Sequence, residues 1–170
     1  MTPKLLYSIL FLLALLTQTS CGTSGVQSKI EGRAMDGADL LTDEEETVLA
    51  QISQDLERKV GSQLVIITID SLFGVAIEEY SLRKASEMGL GRKYYDDGVL
   101  ITVVHRNREM RIEVGSGLEQ ILTNEKSAQI VRELMAPRFR EQKFFEGLQA
   151  AADTIAMLIE DHKELLKKRP

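Results

Sequence analysis

The sequence predicts an α/β fold, a three-layer-type sandwich with a small central mixed sheet flanked by about four helices. Three observations predict it: two nearly unbroken β-branched apolar runs, helical periodicity around them, and one cleanly alternating segment. The runs are Leu64-Val65-Ile66-Ile67-Thr68-Ile69 and Val99-Leu100-Ile101-Thr102-Val103-Val104. Such runs read as strands covered on both faces. With a crossover helix between them they form a right-handed βαβ unit with parallel strands. Met110-Arg111-Ile112-Glu113-Val114 alternates, so it is a strand with one polar face. The short polar connection from His105 to Arg108 makes it the antiparallel hairpin partner of the second run.

Each helix has its own signals. Thr42-Asp43-Glu44-Glu45 is a capping box with acids placed to suit the helix dipole. Leu49, Ile52, Leu56 and Val60 form the apolar stripe behind it, and Gly61 stops it. A second helix runs from Ala76 to Met88, with Ile77, Tyr80, Lys84 and Met88 along one side and Gly89 and Gly91 at its end. Asn124 or Thr123 opens a third, expected to finish at Ala136-Pro137. The last runs from Phe144 to Leu166, with Phe144, Leu148, Ala151, Ile155, Leu158 and Leu165 facing in.

The start of the chain reads as an address. Lys4 precedes a 12-residue run, Leu5 to Leu16, that only Ser8 interrupts. As a helix it would span about 18 Å, short of the roughly 30 Å hydrocarbon core, so it reads as a signal-peptide core. Cys21, the one cysteine, follows at the cut point of a bacterial lipoprotein signal, although Gln18 stands where an aliphatic residue is usual. The expected organisation is a signal peptide over 1–20, a lipidated flexible tether over 21–32, a domain over 33–166 and a basic tail over 167–170. That places the protein in the bacterial cell envelope, facing the periplasm and attached to the membrane through its N-terminal lipid.

Composition narrows the chemistry. With 170 residues, 44% hydrophobic and 28% charged, the chain is of ordinary globular make-up. A net charge of −5 gives no footprint for nucleic acid. One cysteine excludes a disulfide framework and a cysteine-rich zinc site.

The hairpin brings Asp96-Asp97-Gly98 beside Gly115-Ser116-Gly117-Leu118-Glu119. Asp96, Asp97 and Glu119 then converge at one sheet end, and Glu113 joins from the polar face. Clustered carboxylates with loop carbonyls exposed by Gly98, Gly115 and Gly117 suit a hard cation, Ca²⁺ or alternatively Mg²⁺. The plainer reading is turn chemistry with a solvated Glu119. Ser116 has no base evident in the sequence. Arg106, Arg108 and Arg111 offer an anion site at the opposite sheet end, where a solvated loop is the plainer reading. Phe139, Phe144 and Phe145 read as core.

An ordered set of pieces resembles the TPM domain family, also described as thylakoid lumen acid phosphatase-like. They are Asp36 with Leu40-Leu41-Thr42, the strand Leu64–Asp70, Glu78-Glu79-Tyr80, Gly91-Arg92-Lys93, Asp96-Asp97-Gly98-Val99-Leu100, Arg111 to Glu119, Pro137-Arg138-Phe139-Arg140, and Gly147-Leu148. The resemblance spans about residues 33–160. It implies an α/β sandwich facing an extracytoplasmic compartment, with calcium binding and weak phosphatase activity attributed to some members. It maps the acidic loop onto Asp96 and Asp97, and the Gly-Leu-Glu piece onto Leu118 and Glu119. The chain departs from the family pattern at Met88, where Trp is frequent, at Asn124, near where Asp is usual, and at Gln142-Lys143, where Gly-Asp is common. The expected function is an accessory module, lipid-tethered through Cys21, that binds a divalent cation and an envelope protein partner. The alternative is a metal-dependent phosphatase acting on phosphomonoesters.

Overall fold

The computed structural model describes residues 32–166. The signal-like run, Cys21, most of the expected tether and the basic tail lie outside the described residues. Four strands form one sheet in sequence order: β1 (Ala34–Asp36), β2 (Gln63–Ile69), β3 (Gly98–Val104) and β4 (Glu109–Val114). The first three are parallel, and β4 returns antiparallel to β3. The expected βαβ unit and hairpin are both present. β1 is an addition. Its three residues are too few to show a period, and pairing to β2 defines them, with Ala34 opposite Ile66 and Asp36 opposite Thr68.

The unbroken apolar runs are explained by burial on both faces. Leu64 and Ile66 of β2 and Val99, Ile101 and Val103 of β3 face one helical layer. Val65, Ile67 and Leu100 face the other. The first layer holds α1 (Asp43–Val60) and the C-terminal helices, and the second holds α2 (Ile77–Met88). Thr42 and Glu45 close the capping box on α1, and Gly61 ends that helix at φ 85°. Gly89 ends α2 in the same left-handed way.

Two helix ends differ from expectation. Thr123 caps α3 (Asn124–Ile130), but the helix does not stop at Ala136-Pro137. It passes through a wider π-helical stretch, Val131–Met135, into α4 (Ala136–Arg140). Pro137 is tolerated because it stands in the first turn of α4, where a missing N–H leaves little unsatisfied. The last helix, α5 (Phe144–Asp161), is shorter than expected. The backbone leaves the helix at His162, whose Nδ1 lies 2.9 Å from the Leu158 carbonyl oxygen, and a single tight turn follows at Lys163–Leu165. No helix among the described residues is long and apolar enough to cross a membrane.

Candidate functional site

The predicted corner exists at the sheet end where β3 begins and β4 finishes. Gly115 N–H donates to the Gly98 carbonyl at 2.8 Å, and Gly117 N–H to the Asp96 carbonyl at 2.9 Å. The second contact requires glycine. A β-carbon on Gly117 would fall inside the Tyr95 carbonyl oxygen. Asp96, Gly98, Glu113, Gly115 and Ser116 together line a pocket of about 330 Å³, so the sequence brought these residues to one place.

The four carboxylates do not form one group. Asp97 is fully buried and points inward. Its Oδ2 accepts from Arg92 Nη2 at 2.5 Å, Arg92 Nε at 2.8 Å and Ser62 Oγ at 3.2 Å, and its Oδ1 from the Arg92 backbone N–H at 2.9 Å. The Arg92 guanidinium also lies 3.8 Å over the Tyr95 ring. Asp96 is exposed, and its carboxylate accepts from the Ser116 N–H at 3.0 Å and from the Ser116 hydroxyl. Glu113 accepts from Arg111 Nε at 2.7 Å. Glu119 is exposed and is not among the residues lining the pocket, while Leu118 is buried beneath the loop. Among the described residues no three His, Cys, Asp or Glu side chains gather as a metal-holding group. A cation on Asp97 would have to displace the Arg92 guanidinium, which already supplies the compensating positive charge. The donor set does not fit a cation cage that includes Asp97.

A recess of twice that volume, about 660 Å³, opens at the other end of the sheet. Val103, Val104 and His105 line it from the end of β3, Arg108, Glu109 and Met110 from the hairpin. Leu40 contributes from the stretch after β1, Phe139 and Arg140 from the end of α4, Gln142 from the turn that follows and Phe144 from the start of α5. Phe139 and Phe144 meet edge to face, with centroids 5.2 Å apart, and His105 meets Phe144 in the same way at 5.7 Å. The turn's own charges pair with each other, Lys143 Nζ lying 2.7 Å from Glu141. That hydrogen bond holds the Glu141 carboxyl below the usual carboxylate range and raises the Lys143 ammonium.

Of the residues lining this recess, Arg108 was the one legible from sequence as a candidate ligand. Of the three arginines weighed as an anion site, Arg106 pairs with Asp70 at 2.9 Å and Arg111 with Glu113 at 2.7 Å. Arg108 alone stays open, and Arg140 joins it from a helix 32 positions further along the chain. Phe139 and Phe144, read as core, are the half-buried wall of the recess. Their spacing beside Arg140 was the available signal.

No curated protein matches the chain. Among solved structures the fold is similar to the solution NMR structure of the N-terminal domain of a P. gingivalis protein. The identity there is 24%, covering 82% of this chain and 88% of that one, with a TM-score of 0.73. It is also similar to the BA42 protein of the psychrophilic bacterium Bizionia argentinensis, at 17% identity over 74% of this chain and 85% of that one, TM-score 0.63. A third similar structure is the N-terminal domain of the cg2496 protein of Corynebacterium glutamicum, at 11% identity over 75% and 79%, TM-score 0.60. These likenesses show the fold. The family model described as TPM domain matches residues 34–158, from the first strand to near the end of the last helix. The chain therefore belongs to the TPM domain family.

Proposed function

We propose that the protein is an extracytoplasmic accessory module, held at the membrane by a lipid on Cys21, that docks a protein partner through the loop bearing Phe73. Phe73 carries this reading. It is 92% exposed, and its backbone is left-handed, at φ 51°. A bulky side chain in that region costs about 1–2 kcal/mol, and an exposed aromatic ring gains nothing from water. The loop is nevertheless well fixed. Ser71 Oγ accepts from the Phe73 N–H at 3.2 Å, the Val75 N–H donates to the Leu72 carbonyl at 3.1 Å, and Leu72 is buried against Ile77 and Val104. A rigidly presented aromatic is the residue type that anchors protein interfaces.

The phosphatase alternative has less support. Asp97, its central ligand, holds an arginine, and the Ser116 hydroxyl is hydrogen-bonded to the Asp96 carboxylate rather than to a histidine.

The test is made in cells that express the full chain with a photo-crosslinking amino acid at position 73 or at Met157, which is also exposed. The expected result is an adduct of discrete mass at 73 and none at 157. Equal crosslinking at both positions, or none at 73, would overturn the docking role. Lipid labelling and membrane fractionation of Cys21→Ser test the tether. Label and membrane retention are both expected to be lost.

A further inference from the structure

The recess at the hairpin end of the sheet holds two arginines with no assignment. Neither Arg108 nor Arg140 makes a side-chain hydrogen bond or ion pair to any described residue. Every other described arginine is engaged. Arg92 is on Asp97, Arg106 on Asp70, Arg111 on Glu113, and Arg138 on the Leu134 carbonyl at 2.8 Å. The two that are open line the same recess. Glu109 is the one acid lining it, so the rim carries two positive charges against one negative, on a chain whose net charge is −5. A planar guanidinium presents paired donors that match an oxyanion, and two such groups left over at one mouth mark an anion subsite.

Apolar side chains share the lining with these charges. Leu40, Val103, Met110, Phe139 and Phe144 are among them. The volume, about 660 Å³, is that of a small-molecule site. The recess also lies beyond the carboxyl end of β3, the end of a parallel sheet at which open α/β folds bind ligands. Two polar residues on its rim keep left-handed backbones that glycine would adopt more cheaply, Arg108 at φ 55° and Gln142 at φ 61°.

We infer that this recess binds a small organic oxyanion with an aromatic or aliphatic body. The oxyanion sits at Arg108 and Arg140, and the body lies against Phe139 and Phe144. The inference is independent of the Phe73 loop and of the carboxylates at the opposite sheet end.

The test is calorimetric titration of the purified full chain with phenylbutyrate, with its neutral amide and with inorganic phosphate. Phenylbutyrate is expected to bind at one site per chain. The amide, which keeps the body and loses the charge, is expected to bind at least about tenfold more weakly. Inorganic phosphate, which keeps the charge and lacks the body, is likewise expected to be weaker. Arg108→Ala with Arg140→Ala should bring the acid down to the level of the amide. Both positions are exposed, so the double variant is expected to fold. Phe144→Leu should weaken acid and amide together. Equal binding of acid and amide, an unaffected arginine variant, phosphate binding as tight as the acid, or no binding of phenylbutyrate at millimolar concentration would each overturn the inference.

Discussion

The buried carboxylate of Asp97 is held by Arg92, with Nη2 at 2.5 Å and Nε at 2.8 Å from the same oxygen. The pair joins the loop after α2 to the start of β3, and Ser62 ties in the start of β2. Removing the acid strips a half-buried guanidinium of its partner and orphans two neutral donors. Asp97→Ala is expected to cost about 3 kcal/mol of folding stability. Arg92→Met, which leaves the carboxylate buried without its counter-charge, should cost a similar amount. Urea denaturation in calcium and in chelator checks the origin of the loss. The arginine pairing predicts equal losses in both media, whereas a loss seen only with calcium would place a cation at Asp97.

Gln142 ends α4 with φ 61°, where its N–H donates to the Phe139 carbonyl at 3.1 Å. This is the left-handed closing position of a helix, which glycine occupies most cheaply. Gln142→Gly is expected to stabilise the domain by about 0.5–1 kcal/mol, the relief of left-handed strain less the added freedom of the unfolded chain. The urea midpoint should rise with no change in slope.

Much of the fold was legible because burial on both faces is written in residue type. Leu64–Ile69 and Val99–Val104 could only be central strands, and Thr42 with Glu45 could only open a helix. What was not legible depends on partners distant in the chain. β1 exists because Ala34–Asp36 find the edge of β2. The continuation through Pro137 depends on a π-helical stretch that local propensity does not announce. At the predicted corner, Asp96 and Asp97 are identical neighbours in sequence. Their fates separate because Asp96 is left-handed, at φ 51°, which leaves Asp96 facing Ser116 and water while Asp97 points to Arg92. The pairing of Arg108 with Arg140 at one recess has no local signature.

Gly147 determines how Phe139 lies on α5. A β-carbon at that position would stand 2.6 Å from the Phe139 ring edge. Inside a helix, Gly→Ala normally gains up to about 1 kcal/mol. Here the ring has to move, and the overpacking cost of about 1–3 kcal/mol outweighs the gain. Gly147→Ala is expected to be destabilising by about 1 kcal/mol, whereas unhindered glycines in helices respond in the opposite sense. Thermal denaturation decides the sign. An increase in stability would mean that Phe139 swings aside freely and does not form a fixed wall.

Tyr80 links the two apolar clusters on the α2 face of the sheet. It packs against Val65, Ile67 and Leu100 on one side and against Leu72, Ile77 and Val104 on the other. Burial pushes its phenol above the ordinary value of 10.0, and Glu87 adds to the rise while Arg83 opposes it. The fold favours the neutral phenol, so its contribution is fully present below the unfolded value and is lost as pH rises through the folded one. Above about pH 10 the unfolded chain releases a proton that the native chain retains, and stability falls with pH. Tyr80→Phe has no proton to lose there. Its stability is expected to decline less steeply between about pH 9 and 11, and the phenolate absorbance titration should lose its late step. Superimposable alkaline curves for the two proteins would show that the ring is as free to ionise in the fold as in the unfolded chain.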